Sequence, residues 1–204
     1  MQFLLRGLLA WDLTERESGL GIVYLSFGLG LLVCTPIGGV LADRWAKRTL
    51  LVFGQGTIAV VAAAMGLAAV SNNAQFWMLM VASLAQGAMF GLIGPARVTT
   101  AAELVGHEQL GNAISLTSMS MSLTRIFGPA AAGVLAGVAV FGIGGAYLVA
   151  AVFSVVSTLL TMRLPKLEPQ AATRGHPVTE ILDGVRYVKS EKQLKWLIVT
   201  TTLA

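Results

Sequence analysis

Residues 49–96 read TLLVFGQGTIAVVAAAMGLAAVSNNAQFWMLMVASLAQGAMFGLIGPA, with no Asp, Glu, Lys or Arg anywhere in the stretch. Two further runs share this property, residues 18–42 and residues 126–162. A helix that crosses a membrane needs about 20 mostly apolar residues. The 49–96 run is long enough for two such helices, the 18–42 run for one, and the 126–162 run for one and much of another. None of the runs alternates polar and apolar residues with period two, which excludes a barrel. Only helices then satisfy the backbone in lipid. The pattern predicts an all-α, polytopic membrane protein.

The whole-chain numbers agree. Of 204 residues, 12% are charged and 55% are hydrophobic, and the mean hydropathy is +0.76. An ordinary soluble domain carries about 25% charged residues. A disordered chain needs few apolar and many charged residues, so that class is excluded. Cys34 is the only cysteine, which leaves no intrachain disulfide and no cysteine-based metal centre. No basic region precedes the apolar start, so no signal peptide is expected.

Turn-type residues subdivide the runs. Ser71-Asn72-Asn73-Ala74-Gln75 breaks the first, and Gly142-Ile143-Gly144-Gly145 breaks the last. The expected helices are 1–13, 19–42, 49–70, 76–94, about 112–140 and 145–162. A final apolar stretch, 194–204, begins a seventh. At 13 residues the first helix supplies about 20 Å of a core about 30 Å thick. The chain is therefore expected to begin inside one span, end inside another, and represent part of a longer protein. The expected division is a helix bundle over 1–162, a cytoplasmic loop over 163–193, and the start of a span over 194–204. Within the loop, Pro177 opens a stretch in which Val178, Ile181, Leu182, Val185 and Val188 recur at helical spacing. It predicts an amphipathic helix on the membrane face or against the ends of the spans.

Charge sets the orientation. Eleven of the 14 basic residues fall in the loops after the second, fourth and sixth helices. The opposite side has Arg16 beside Asp12, Glu15 and Glu17. Positive-inside puts the basic loops in the cytoplasm. The net charge of +4 and pI of about 9.6 are thus a topology signal, and no nucleic-acid partner is needed to explain them. Trp11, Trp45, Trp77 and Trp196 fall near expected helix ends, where amphipathic rings prefer to sit. His107 and His176 fall in loops, and solvated side chains are expected for both. No phosphate-cradling GxxxxGK[ST] and no GxGxxG occurs, and no ligand cluster points to a metal. No cofactor and no enzymatic activity is expected.

Three motifs carry functional information. The first is Gly39-Val40-Leu41-Ala42-Asp43-Arg44-Trp45-Ala46-Lys47-Arg48-Thr49-Leu50, between the second and third helices. Gly38 and Gly39 allow close backbone approach. Asp43 sits near three cations, Arg44, Lys47 and Arg48, with which it can form ion pairs that make and break. The second motif lies in the fifth helix. Asn112, Ser115, Ser118, Ser122 and Arg125 share one helical face. Arg125 lies about 20 Å along that span, a depth at which a charge belongs in the bundle interior or a water-filled path. Gly128-Pro129 follows one turn later and predicts a kink. Gly133 and Gly137 then stand at close-packing spacing. For most of the serines, interhelical hydrogen bonding is the simpler reading. The third motif is Ser83-Leu84-Ala85-Gln86-Gly87-Ala88-Met89-Phe90-Gly91, where Gly87 and Gly91 make a close-packing pair. Gln86 is a cavity residue or an interhelical hydrogen bonder, and Arg6 is a candidate for the same cavity. Tyr24, Gln55 and Thr57 are expected to pack or to form shielded hydrogen bonds.

The 39–50 pattern resembles the signature between the second and third helices of the major facilitator superfamily, with Ala46 where the family usually has glycine. The run Arg125–Gly133 is similar to the fifth-helix signature of the superfamily's exporters. With Gly94-Pro95-Ala96-Arg97, Glu103-Leu104-Val105 and Leu110-Gly111-Asn112-Ala113, the chain resembles the branch that includes the enterobactin exporter and the macrolide efflux proteins. The resemblance implies the N-terminal six-helix bundle of a secondary transporter, with a second six-helix half missing from this sequence. It implies lipid, a small-molecule substrate and a coupling ion as partners, and a bacterial inner membrane as the location. Gly39, Asp43, Arg44, Lys47 and Arg48 would latch a cytoplasmic gate, and Arg125, Gln86, Ser122 and Arg6 would line the transport path. Ser83 stands where many proton-coupled relatives have arginine, a departure from the usual route of proton coupling. The competing expectation is a non-transporting scaffold or receptor subunit that binds partners through its basic loop.

Overall fold

The computed structural model describes residues 1–105, 109–138 and 142–165. They form six helices, α1 (Gln2–Thr14), α2 (Glu17–Arg44), α3 (Lys47–Val70), α4 (Phe76–Val105), α5 (Leu110–Gly137) and α6 (Gly142–Thr161). The expected amphipathic helix after Pro177, the start of a seventh span at 194–204, His107, His176 and Trp196 lie outside the described residues.

The connections are short, so successive helices run in opposite directions. Glu15 takes a left-handed conformation after α1, and Asn72 does so after α3. Asn73 N–H donates to the Ala68 carbonyl at 2.9 Å, which closes the end of α3. The Ser71–Gln75 cluster is therefore the turn that its composition predicts. Only Trp45 and Ala46 separate α2 from α3.

Two helices depart from the expected bounds. α4 does not stop before Pro95 but continues to Val105. Pro95 removes the donor that would bond the Gly91 carbonyl, a single hydrogen bond. Packing offsets that loss, because Ile93 and Ala96 are buried with Ala42, Leu50 and Leu51. Thr99 and Thr100 hydroxyls also donate back to the carbonyls of Pro95 and Ala96. α6 starts at Gly142, the first glycine of the expected break and left-handed there, and takes in Gly144 and Gly145. Gly144 packs against Val70 and Ala69 of α3, so it serves close approach and not a turn.

Backbone contact between α2 and α4 organises the bundle. A Cβ on Gly87 would collide with the Phe27 carbonyl, and one on Gly30 with the Leu84 carbonyl. One on Gly91 would stand 2.7 Å from the Leu31 carbonyl, and one on Gly38 2.5 Å from the Gly91 carbonyl. Small residues permit this approach in a medium that gives helices no hydrophobic drive to associate. Gly39 and Gly137, by contrast, face open space, so neither serves helix approach among the described residues.

Around this seam the core has two parts. One joins Leu5, Leu9, Val23, Met65, Leu79 and Tyr147. The other, toward the basic end, joins Ala42, Leu50, Leu51, Ile58, Ile93 and Ala96. The outer surface is apolar, with Leu25, Leu32, Val60, Leu67, Val134, Phe153 and Leu160 all exposed. Patches of that extent are foreign to a soluble monomer. α2, α3, α4 and α6 are each long and apolar enough to cross a membrane. α5 is as long, but its first half carries the Asn112–Arg125 polar face.

Gly87→Val should destabilise the bundle by about 1–3 kcal/mol, the cost of overpacking a tight contact. Gly56→Ala, whose added Cβ meets Thr158 at an ordinary 4.0 Å, should change little. Thermal unfolding of both variants in detergent checks the contrast.

Candidate functional site

Three groups of polar residues stand out, at the basic end, at mid-depth, and along α5. At the basic end, α3 begins at Lys47 immediately after the two-residue turn. The helix start turns Lys47 inward, where it is buried. Its ammonium pairs with Glu103 in the last turn of α4. Arg48 donates to the Met162 carbonyl just beyond α6, where a cation suits the negative end of a helix. Two of the motif's cations thus tie α3 to α4 and to the end of α6. Asp43 and Arg44 are exposed at the end of α2. No ion pair of Asp43 is seen among the described residues, and Glu103 is the acid that pairs with Lys47.

At mid-depth the key residue is Arg6. Leu5, Arg6, Leu9 and Ala10 share the buried face of α1, so the packing of the leucines carries the guanidinium inside. Arg6 Nη2 donates to Gln86 Oε1 at 2.6 Å. The guanidinium carbon stands 4.3 Å from the centroid of the Phe27 ring. Ser83, one turn before Gln86 on α4, and Tyr147 on α6 are also buried. Arg6 Nε and Nη1, Ser83 Oγ and Tyr147 Oη have no hydrogen-bond partner in the protein. Cation–π contact with this half-buried ring contributes about 1 kcal/mol. Burying a charge costs several kcal/mol even after relaxation. The ring and one amide therefore leave the charge incompletely compensated.

Along α5, Asn112, Ser115, Ser118, Ser122 and Arg125 are all exposed. The serine hydroxyls at 115, 118 and 122 make no interhelical hydrogen bond among the described residues, contrary to the simpler expectation for them. Pro129 sits within α5 without ending it. Its missing N–H frees the carbonyl four residues earlier, that of Arg125 itself. Gly128 lies against the Met1 amine, and Gly133 meets only Leu4 at 3.9 Å.

The residues expected to line one path therefore separate into two sets. Arg6 and Gln86 are brought together in the interior, and Arg125 and Ser122 lie on the open face of α5. Four contributors were missed by sequence reasoning. Glu103 is the only acid between Asp43 and Glu108, a signal obscured by ending the fourth helix too early. Tyr147 is the only tyrosine in α6. Phe27 and Met162 carry no sequence signal, since the ring and the carbonyl act only through where the fold puts them.

The chain matches the Major Facilitator Superfamily over residues 2–204. It belongs to that superfamily. It is 27% identical to the enterobactin exporter EntS of Shigella boydii over 176 residues, which cover 86% of this chain and 42% of the relative. The corresponding protein of Citrobacter koseri is 27% identical over 178 residues, 87% of this chain and 42% of the relative. An Escherichia coli O157:H7 exporter of the same name is equally similar over 176 residues. The chain thus spans less than half the length of these superfamily relatives.

Glu103→Gln leaves the buried Lys47 charge without its partner. Glu103 is itself 23% exposed at its side chain, so the cost should fall at the low end of about 3–5 kcal/mol. The double variant Lys47→Met/Glu103→Gln should be more stable than Glu103→Gln alone. A double-mutant cycle on unfolding midpoints checks the coupling.

Proposed function

We propose that the chain forms the N-terminal half of a secondary transporter in the bacterial inner membrane. The complete protein would export a small amphipathic molecule of drug or siderophore type by alternating access, driven by an ion gradient. A proton gradient is the first to test. Membership of the superfamily and likeness to proteins named as enterobactin exporters support the class of function.

The observation that carries the reading is the exposed polar face of α5 with Arg125 at about half its length. A charge at that depth is costly in hydrocarbon and belongs beside water or protein. A second six-helix half opposite this face would enclose a path between the two. In that arrangement Arg125, with its own freed carbonyl and Ser122 beside it, meets an anionic or polar group of the substrate. Gln86 and Arg6 support the path from the interior. Gly39, half-buried, and Asp43, exposed at the basic end, meet the second half when the cytoplasmic side is closed. Arg44, Lys47 and Arg48 complete that latch, and Gly128-Pro129 supplies a point of bending.

The test uses the complete protein in sealed vesicles, with enterobactin and a macrolide as first substrates. Asp43→Asn and Arg125→Ala should each lower gradient-driven flux at least tenfold while leaving the folded yield unchanged. Unaltered flux in both would overturn the assigned roles.

A further inference from the structure

The mid-depth cluster has a chemical character of its own. Arg6, Ser83, Gln86 and Tyr147 are 3%, 0%, 2% and 1% exposed. The unpartnered atoms are the Arg6 Nε and Nη1 donors and the Ser83 and Tyr147 hydroxyls. Every one of these groups can donate, and arginine does not lose its proton in proteins. Tyr147 lies within electrostatic reach of the guanidinium. What the cluster lacks is an acceptor bearing negative charge.

No residue among the described ones supplies it. Residues 18–42, 49–96 and 126–162 contain no carboxylate. The one acid in α1, Asp12, is exposed near the far end of that helix. Its Cα is six residues from Arg6, about 9 Å along the axis. Water can satisfy orphan donors but carries no net charge. Closure of the site excludes anything large, because all four side chains are enclosed by the half-bundle alone.

We propose that Arg6, Ser83 and Tyr147 form a buried site for a small inorganic anion of the halide class. The ion accepts from a free N–H of the guanidinium and from the two hydroxyls, while Gln86 holds Nη2 and Phe27 holds the face. The site is separate from the open face of α5 and does not rest on the transport reading.

The test is thermal unfolding of the purified complete protein, with sodium chloride or bromide replacing sodium gluconate at constant ionic strength. Chloride and bromide should raise the midpoint saturably, and gluconate should not. The halide response should be lost in Arg6→Gln, retained in Arg97→Gln, and shifted at least fivefold to higher concentration in Ser83→Ala and Tyr147→Phe. A response shared by gluconate, or one that survives in Arg6→Gln, overturns the site. Wild-type crystals grown in bromide give a readout that needs no variant. An anomalous peak within hydrogen-bond distance of Arg6 supports the site, and water density or no density there overturns it.

Discussion

The contact between the α2 and α4 backbones is the constraint on which the rest of the bundle depends. Side chains normally hold two helices 8–10 Å apart, and glycine at 30, 38, 87 and 91 removes that spacer. The consequence reaches the polar interior directly. Gly87 lies on the Phe27 carbonyl, and its chain neighbour is Gln86. Close approach at that one point therefore delivers an amide from α4 and a ring from α2 to the same side of α1. Arg6 is received between them. Wider spacing of the two helices would leave the guanidinium with neither partner.

The chain places two arginines at similar depth with opposite surroundings. Arg6 lies about 12 Å below the outer end of α1, and Arg125 about 18 Å below the outer end of α5. Arg6 is buried among neighbours from α2, α4 and α6, whereas Arg125 stands on an open face. Residue type and depth are thus nearly matched, and only the neighbouring helix faces differ. α1 turns an apolar face into the core and takes Arg6 with it. α5 carries its arginine on a face of Asn and Ser, which has little tendency to pack against Leu and Ala.

The number and order of the helices were readable from charge-free runs and turn clusters, because a bilayer penalises charge and unpaired backbone over a fixed thickness. The close packing of Gly87, Gly91 and Gly38 was also readable, since four-residue spacing of small residues has one main use in lipid. Helix ends were less accessible. Pro95 looked like a terminator because its local cost is visible in the sequence, whereas the burial of Ile93 and Ala96 that offsets it is a tertiary fact. The same limit explains Gly144, which serves contact with α3, whereas Gly142 takes the left-handed turn conformation that a glycine in a break suggests. Among site residues, Arg6 and Gln86 were each conspicuous as polar groups in apolar helices. Their meeting was not, since 80 positions separate them and no local pattern encodes which faces of α1 and α4 oppose.

α4 links the two polar centres that stay inside the bundle. Gln86 receives Arg6 at mid-depth, and Glu103 receives Lys47 in the last turn. The two residues lie about 26 Å apart along the axis. Between them fall Gly87, Gly91, Gly94 and Pro95, the residues least able to stiffen a helix. Proline at 95 leaves the Gly91 carbonyl without its helical donor, and Gly94 faces open space. A helix anchored at two points by charge-assisted contacts and softened between them takes up strain in that interval. The Lys47–Glu103 contact can then shift while the Arg6–Gln86 contact stays seated on the glycine seam.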